Sequence, residues 1–223
     1  MNEGGKSGQE KSAKRCIVQR QYSGEEVFEN KGKPTQLKLL GQPRPGKKLL
    51  VLDVDSTIYD CVTPTNMCYR RRPYLSYLLE QAFKSYDIGL WSATDMAALE
   101  VKIDAMHLRD NPAYKLLFYT DLSLTERVVV DSHHLLTKPL SKIWNLLPEY
   151  GPTNTVICDD SSVNFVKNPR NGILVTPYYS QNFLTDEELL YLHKYLQFLA
   201  GVYDVRETNH ENWKEIVMNL RHA

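Results

Sequence analysis

The chain has 223 residues, 42% hydrophobic and 24% charged, with 27 Lys/Arg against 27 Asp/Glu. That is the make-up of one domain plus a tail, large enough to bury a core without disulfides or a structural metal. Four cysteines with no CxxC pair and no run near ~18 apolar residues argue against a disulfide scaffold, a zinc module and a membrane-spanning helix, and fit a reducing compartment.

Residues 1–48 carry 11 Lys/Arg against 5 Asp/Glu, leaving 16 against 22 for the rest. A mildly acidic body disfavours broad electrostatic binding of nucleic acid. Residues 1–15, with almost no apolar side chain, read as a disordered tail. Lys14-Arg15 and Lys47-Lys48 are compatible with a targeting or docking arm, although a solvated tail is the simpler reading. Gln42-Pro43-Arg44-Pro45-Gly46 reads as an extended connector. The expected organisation is therefore a tail or linker over 1–46 and a folded domain over 47–223.

From Lys47 onward, short apolar runs alternate with segments of helical period, the pattern of a parallel sheet with crossover helices. Leu49-Leu50-Val51-Leu52 is a predicted buried strand. Pro73 opens a predicted helix with Tyr74, Leu75, Leu78, Leu79 and Ala82 on one face. Ile88-Gly89-Leu90-Trp91 is a second strand, followed by a helix with Met96, Leu99, Ile103 and Met106 on its stripe. Tyr114–Tyr119 and Arg127–Val130 look like strands of a small hairpin inserted before a helix through Leu140, Ile143, Trp144 and Leu147. Val156-Ile157-Cys158 is another buried strand. Thr185 and Glu188 have capping-box spacing ahead of Leu189, Leu192, Leu196 and Leu199, and Trp213, Ile216, Val217 and Leu220 mark a last amphipathic segment.

Three of these strands stop at small polar or acidic residues: Leu52 before Asp53, Trp91 before Ser92, and Cys158 before Asp159-Asp160. Carboxyl ends of parallel strands share one sheet edge, where ligands bind, so these side chains are expected to converge. The strongest local signal is Asp53-Val54-Asp55-Ser56-Thr57, DxDxT at a strand tip. A calcium loop starting at Asp53 is excluded, because Ile58 stands where glycine is needed and Pro64 where a carboxylate is needed. A shared divalent cation, or a division into nucleophile and acid, remains.

DxDxT after an apolar strand resembles the first motif of the haloacid-dehalogenase (HAD) superfamily phosphatases. The rest of the body resembles their C-terminal-domain (CTD) phosphatase branch. The likeness runs through Lys47–Asp55, Arg72-Pro73-Tyr74-Leu75, Tyr86-Asp87-Ile88 with Trp91-Ser92-Ala93-Thr94, Lys138-Pro139-Leu140 with Ile143-Trp144, and Asp159-Asp160 with Asn164-Phe165, Asn168-Pro169 and Asn171-Gly172. Within that branch it is greatest to the ubiquitin-like domain-containing CTD phosphatases. The resemblance implies a HAD-like (Rossmannoid) α/β fold with flanking helices, in which the hairpin insertion acts as a flap that helps choose substrate, the alternative being a purely structural edge hairpin. It also implies a nuclear, magnesium-dependent protein serine/threonine phosphatase.

By the same resemblance, Asp53 is the nucleophile that becomes an aspartyl phosphate, and Asp55 is the acid for the leaving alkoxide and then the base for water. Mg2+ is implied on Asp53, the Asp55 carbonyl and Asp160, with Asp159 as a Lys138 partner or indirect ligand, an order the residues alone leave open. Lys138 offsets charge on Asp53 and the phosphoryl group. Ser92, helped by Ala93 and Thr94, receives the phosphate, and Thr57 holds the loop. Arg72 braces the loop, and His133-His134 carries a metal reading only weakly, for want of a second ligand pair. Implied partners are a phosphoprotein, namely the RNA polymerase II CTD or a proteasome subunit, with no direct nucleic-acid or membrane contact. About 45 residues precede the first strand, too few for a complete ubiquitin-like fold, so proteasome docking by the family's route is in doubt. The competing readings are a phosphopeptide-binding protein with weak catalysis and a small-molecule phosphatase.

Overall fold

A computed structural model describes residues 37–64, 69–130 and 132–220. The 1–15 tail lies outside them, as does Cys68, and with it the surface pair of Cys61 with Cys68 that the sequence allows. Six strands form one sheet: β1 (Leu37–Leu39), β2 (Lys48–Leu52), β3 (Tyr86–Trp91), β4 (Leu116–Thr120), β7 (Thr155–Asp159) and β8 (Gly172–Leu174). Their spatial order is β1-β4-β3-β2-β7-β8. All neighbours pair parallel except β1, which runs antiparallel along β4. The sheet thus reaches ten residues before Lys47. Arg44 ties the connector down: its guanidinium donates to Asp87 Oδ1 at 2.6 Å and to the Phe83 carbonyl at 2.7 Å.

Strand periodicity sorts the core into two layers. Leu50 and Leu52 of β2, Ile88 and Leu90 of β3, and Val156 and Cys158 of β7 face α1 (Leu75–Ala82), α2 (Met96–Ala105), α4 (Glu188–Ala200) and α5 (Trp213–Asn219). Leu49, Val51, Phe118 and Ile157 face the other way, toward Leu140 and Ile143 beside α3 (Ser141–Leu146). Helices on both faces make the sheet doubly wound. Gly89 is required in this second layer, since a Cβ there would lie 2.2 Å from the Phe118 ring.

Three sequence expectations change in detail. The run ending at Tyr119 is a main-sheet strand, buried on both faces, and the inserted hairpin is instead β5 (Glu126–Val130) with β6 (His133–Thr137). Tyr74 is exposed and left-handed (φ 63°), outside the buried face of α1. The Arg72 amide bonds to the Ile58 carbonyl and keeps the chain paired with the site loop until it turns at Tyr74. No capping box forms at α4: Thr185 bonds Asn182, while Glu188 accepts from the Thr176 amide at 2.8 Å and pairs with Lys214 at 2.7 Å.

Among the described residues, no helix is long and apolar enough to cross a membrane.

Candidate active site

The sheet order reverses at β2, which has β3 on one side and β7 on the other, so the switch point of the fold lies where β2 ends. Leu52 is in register with Leu90 and with Cys158. The next residues of the three strands are therefore neighbours at one edge: Asp53, Trp91 followed by Ser92, and Asp159. The Asp53 amide extends the ladder to the Cys158 carbonyl at 2.9 Å.

After Asp53 the chain folds back on itself. The amides of Thr57, Ile58 and Tyr59 all donate to the Val54 carbonyl, and Ser56 takes the left-handed conformation (φ 62°) that this tight loop needs. Arg72, buried, donates to the Thr57 carbonyl at 2.9 Å and forms a two-pronged pair with Asp186 at 2.9 and 2.8 Å. It braces the loop, as expected. Asp60 anchors the far side of the loop, accepting from the amides of Val62, Thr63 and Ser180. The Thr57 hydroxyl accepts from the Asp160 amide at 3.1 Å, joining the loop to the end of β7.

Lys138 enters from the loop after β6 and is fully buried. Its ammonium donates to Asp53 Oδ1 and to Asp159 Oδ2, the latter at 2.7 Å. Asp159 also accepts from Asn164 Nδ2 at 2.7 Å and from the Ser161 amide at 2.9 Å. Burial first, then the Asp159 charge, raise the Asp53 carboxyl well above the usual carboxylate range, while Lys138 pulls it back. Burial works against the charge on Lys138, but Asp159 and Asp53 outweigh it and hold the ammonium above the ordinary lysine range.

Carboxylate oxygens of Asp53, Asp159 and Asp160 lie within 4.8 Å of one another. With Asp55, four carboxylates face two ammonium groups, Lys138 and Lys102. An all-oxygen donor set of this kind suits a hard divalent ion. Among the described residues this is the cluster that could hold a metal, and it includes neither His133 nor His134, which are exposed on the hairpin.

Asp55 stands at the other side of Asp53. Ser92 Oγ donates to its Oδ2 at 2.8 Å and accepts from the Thr94 amide at 3.1 Å. Ala93 is exposed and Thr94 half-buried, so this turn opens outward beside Asp55. All the expected side chains are thus brought to one edge. Two members went unread in the sequence: Asn164, which fixes Asp159, and Lys102 of α2, which pairs with Asp55 Oδ1. Asn164 lies in a quoted motif, whereas a lone lysine in a helix carries no local signal.

Residues 48–206 match the family model described as NLI interacting factor-like phosphatase. The chain is 41% identical to the ubiquitin-like domain-containing CTD phosphatase of Arabidopsis thaliana, over 77% of this chain and 52% of that protein. It is 39% identical to ubiquitin-like domain-containing CTD phosphatase 1 of Drosophila melanogaster (80% and 58%) and 37% identical to that of Homo sapiens (82% and 59%). The chain therefore spans between half and three-fifths of these relatives. A solved structure titled as Fcp1, an essential RNA polymerase II CTD phosphatase, superposes over 78% of this chain and 70% of its own with a TM-score of 0.49 and 17% identity. The family match spans the strand that ends in Asp53, the lysine that bonds it and the acids of β7, and by it the chain belongs to the NLI interacting factor-like phosphatases.

Proposed function

We propose that the chain is a magnesium-dependent protein serine/threonine phosphatase that works through an aspartyl phosphate on Asp53. The carrying observation is the buried triad in which Lys138 bonds both Asp53 and Asp159. A carboxylate approaching a phosphate dianion meets repulsion of about 4 kcal/mol per charge pair at ~4 Å and an effective dielectric near 20. Lys138 is placed to offset that repulsion where the bond forms. Asp53, Asp160 and the Asp55 carbonyl would hold Mg2+, with Asp159 held back by Lys138 and Asn164; the ion would supply the remaining positive charge on the phosphoryl oxygens.

Asp53 attacks phosphorus as the ester bond breaks, and Asp55 gives a proton to the departing serine or threonine oxygen. Asp55 then takes a proton from the water that cleaves the aspartyl phosphate. Ser92, with the Ala93–Thr94 turn, receives the phosphoryl oxygens. The small β5–β6 hairpin leaves the edge open to an extended peptide, the relatives are named CTD phosphatases, and the substrates proposed are phosphoproteins of the polymerase-tail kind first and proteasomal phosphoproteins second. Nuclear location belongs to the same proposal.

The test is magnesium-dependent phosphate release from polymerase-tail phosphopeptides, proteasomal phosphopeptides and sugar phosphates. Turnover confined to phosphopeptides, and abolished by Asp53→Asn, supports the reading. Turnover confined to sugar phosphates, or unaffected by that change, defeats it.

A further inference from the structure

Asp55 is held from two sides. Lys102 donates to Oδ1 while Ser92 donates to Oδ2 at 2.8 Å. Ser92 and Thr94 hydroxyls lie 2.8 Å apart, and Lys102 Nζ is 3.4 Å from Thr94 Oγ1, so the four side chains close a ring. The Lys102 and Asp55 side chains are 13% and 17% exposed, so the pair is more sheltered than a screened surface ion pair.

A hydroxyl has one proton. While Ser92 gives it to Asp55, it has none for a phosphoryl oxygen. When Ser92 turns to a bound phosphate, Asp55 loses that contact, and among the described residues Lys102 is the remaining side chain that bonds it. The swap also decides which oxygen works: Oδ1 stays under the ammonium, and Oδ2 is the one vacated.

Resting on the phosphatase reading above, we propose that Lys102 is the positioning residue of the acid–base step, anchoring Asp55 Oδ1 so that Oδ2 faces the reaction as Ser92 changes partner. As Asp53 bonds to phosphorus and the ester P–O bond breaks, the proton on Asp55 Oδ2 passes to the leaving oxygen. In the second half water bonds to phosphorus, the bond to Asp53 breaks, and a water proton goes to Oδ2.

The test compares the wild type, Lys102→Met and Lys102→Arg on a phosphoserine peptide and on p-nitrophenyl phosphate, whose leaving group departs without a proton. For Lys102→Met, kcat/KM on the peptide should fall about 30- to 100-fold with KM changed under about threefold, while kcat/KM on the aryl ester, which is set before the shared water step, falls under about threefold. Lys102→Arg should recover most of the loss. Equal losses on both substrates, or no loss, would overturn the proposal. If Lys102→Met melts early, Lys102→Gln, which keeps a polar chain on the helix surface, is read the same way. A wild type without turnover, or an active Asp53→Asn, brings down the phosphatase reading itself, and this proposal with it. Lys102 results bear only on the positioning.

Discussion

The ammonium of Lys138 donates to Asp53, a residue 85 positions earlier in the chain, with both side chains buried at the end of the central strand. Neither group is comfortable there alone. Burial raises the cost of each charge, and their contact, shared with Asp159, lets both stay in the interior.

Lys138→Met should therefore act on stability as well as chemistry. Without the ammonium, Asp53 and Asp159 are left as neighbouring buried acids, and the loss should be about 3–5 kcal/mol in metal-free denaturant unfolding. Turnover should vanish. An unfolding midpoint equal to that of the wild type would contradict this picture of the triad.

Asp53→Asn should separate the two effects. The amide keeps the shape and removes a charge that burial and Asp159 already disfavour. Melting temperature should stay level or rise, while activity falls by about 10⁴-fold or more, since the carboxylate proposed to form the acyl phosphate is gone. Substantial residual turnover would rule out Asp53 as nucleophile.

Metal should stabilise the fold as well as support catalysis. With Mg2+ at ~100 times its dissociation constant, mass action gives about 2.7 kcal/mol. The rise in melting temperature should be cancelled by a chelator and weakened in Asp160→Asn. A melting curve insensitive to Mg2+ would remove the cation from the three-acid cluster.

Away from the site, His210 sets a pH limit. Its Nδ1 lies 2.6 Å from the Tyr195 hydroxyl, and burial pushes the imidazole down to about 4 from an ordinary 6.5. Between those values the unfolded chain binds the proton more readily, so His210 costs stability progressively as pH falls from about 6.5 to about 4, and no further below that. Thermal melts of the wild type and His210→Gln across that window should show a shallower pH slope in the variant; parallel slopes would assign the acid sensitivity elsewhere.

Much of the fold was legible because its signals are local. Leu49–Leu52, Ile88–Trp91 and Val156–Cys158 are continuous apolar runs, as strands covered on both faces must be, and each ends at a polar residue that the parallel topology then gathers. The β4 segment reads as part of the hairpin because an apolar run marks a buried strand without naming its partner, and here the partners are β1 and β3. His133-His134 lacks a second ligand pair in the sequence, and in the fold the two form part of one arm of the hairpin. Tyr74 fits the helical period, yet the backbone pairing of Arg72 excludes it from the helix.

Sequence alone determined which chemistry is available: carboxylates at two strand tips, a hydroxyl at a third, and a lysine before Pro139. A carboxylate is a carboxylate wherever the chain goes, and strand ends in a parallel sheet share an edge. Only the tertiary structure decided who touches whom. That Lys138 takes Asp159 as well as Asp53, and that Lys102 reaches Asp55 from a neighbouring helix, depend on crossovers of tens of residues. Coulomb interactions fall with distance and not with separation along the chain, so only the folded geometry reports them.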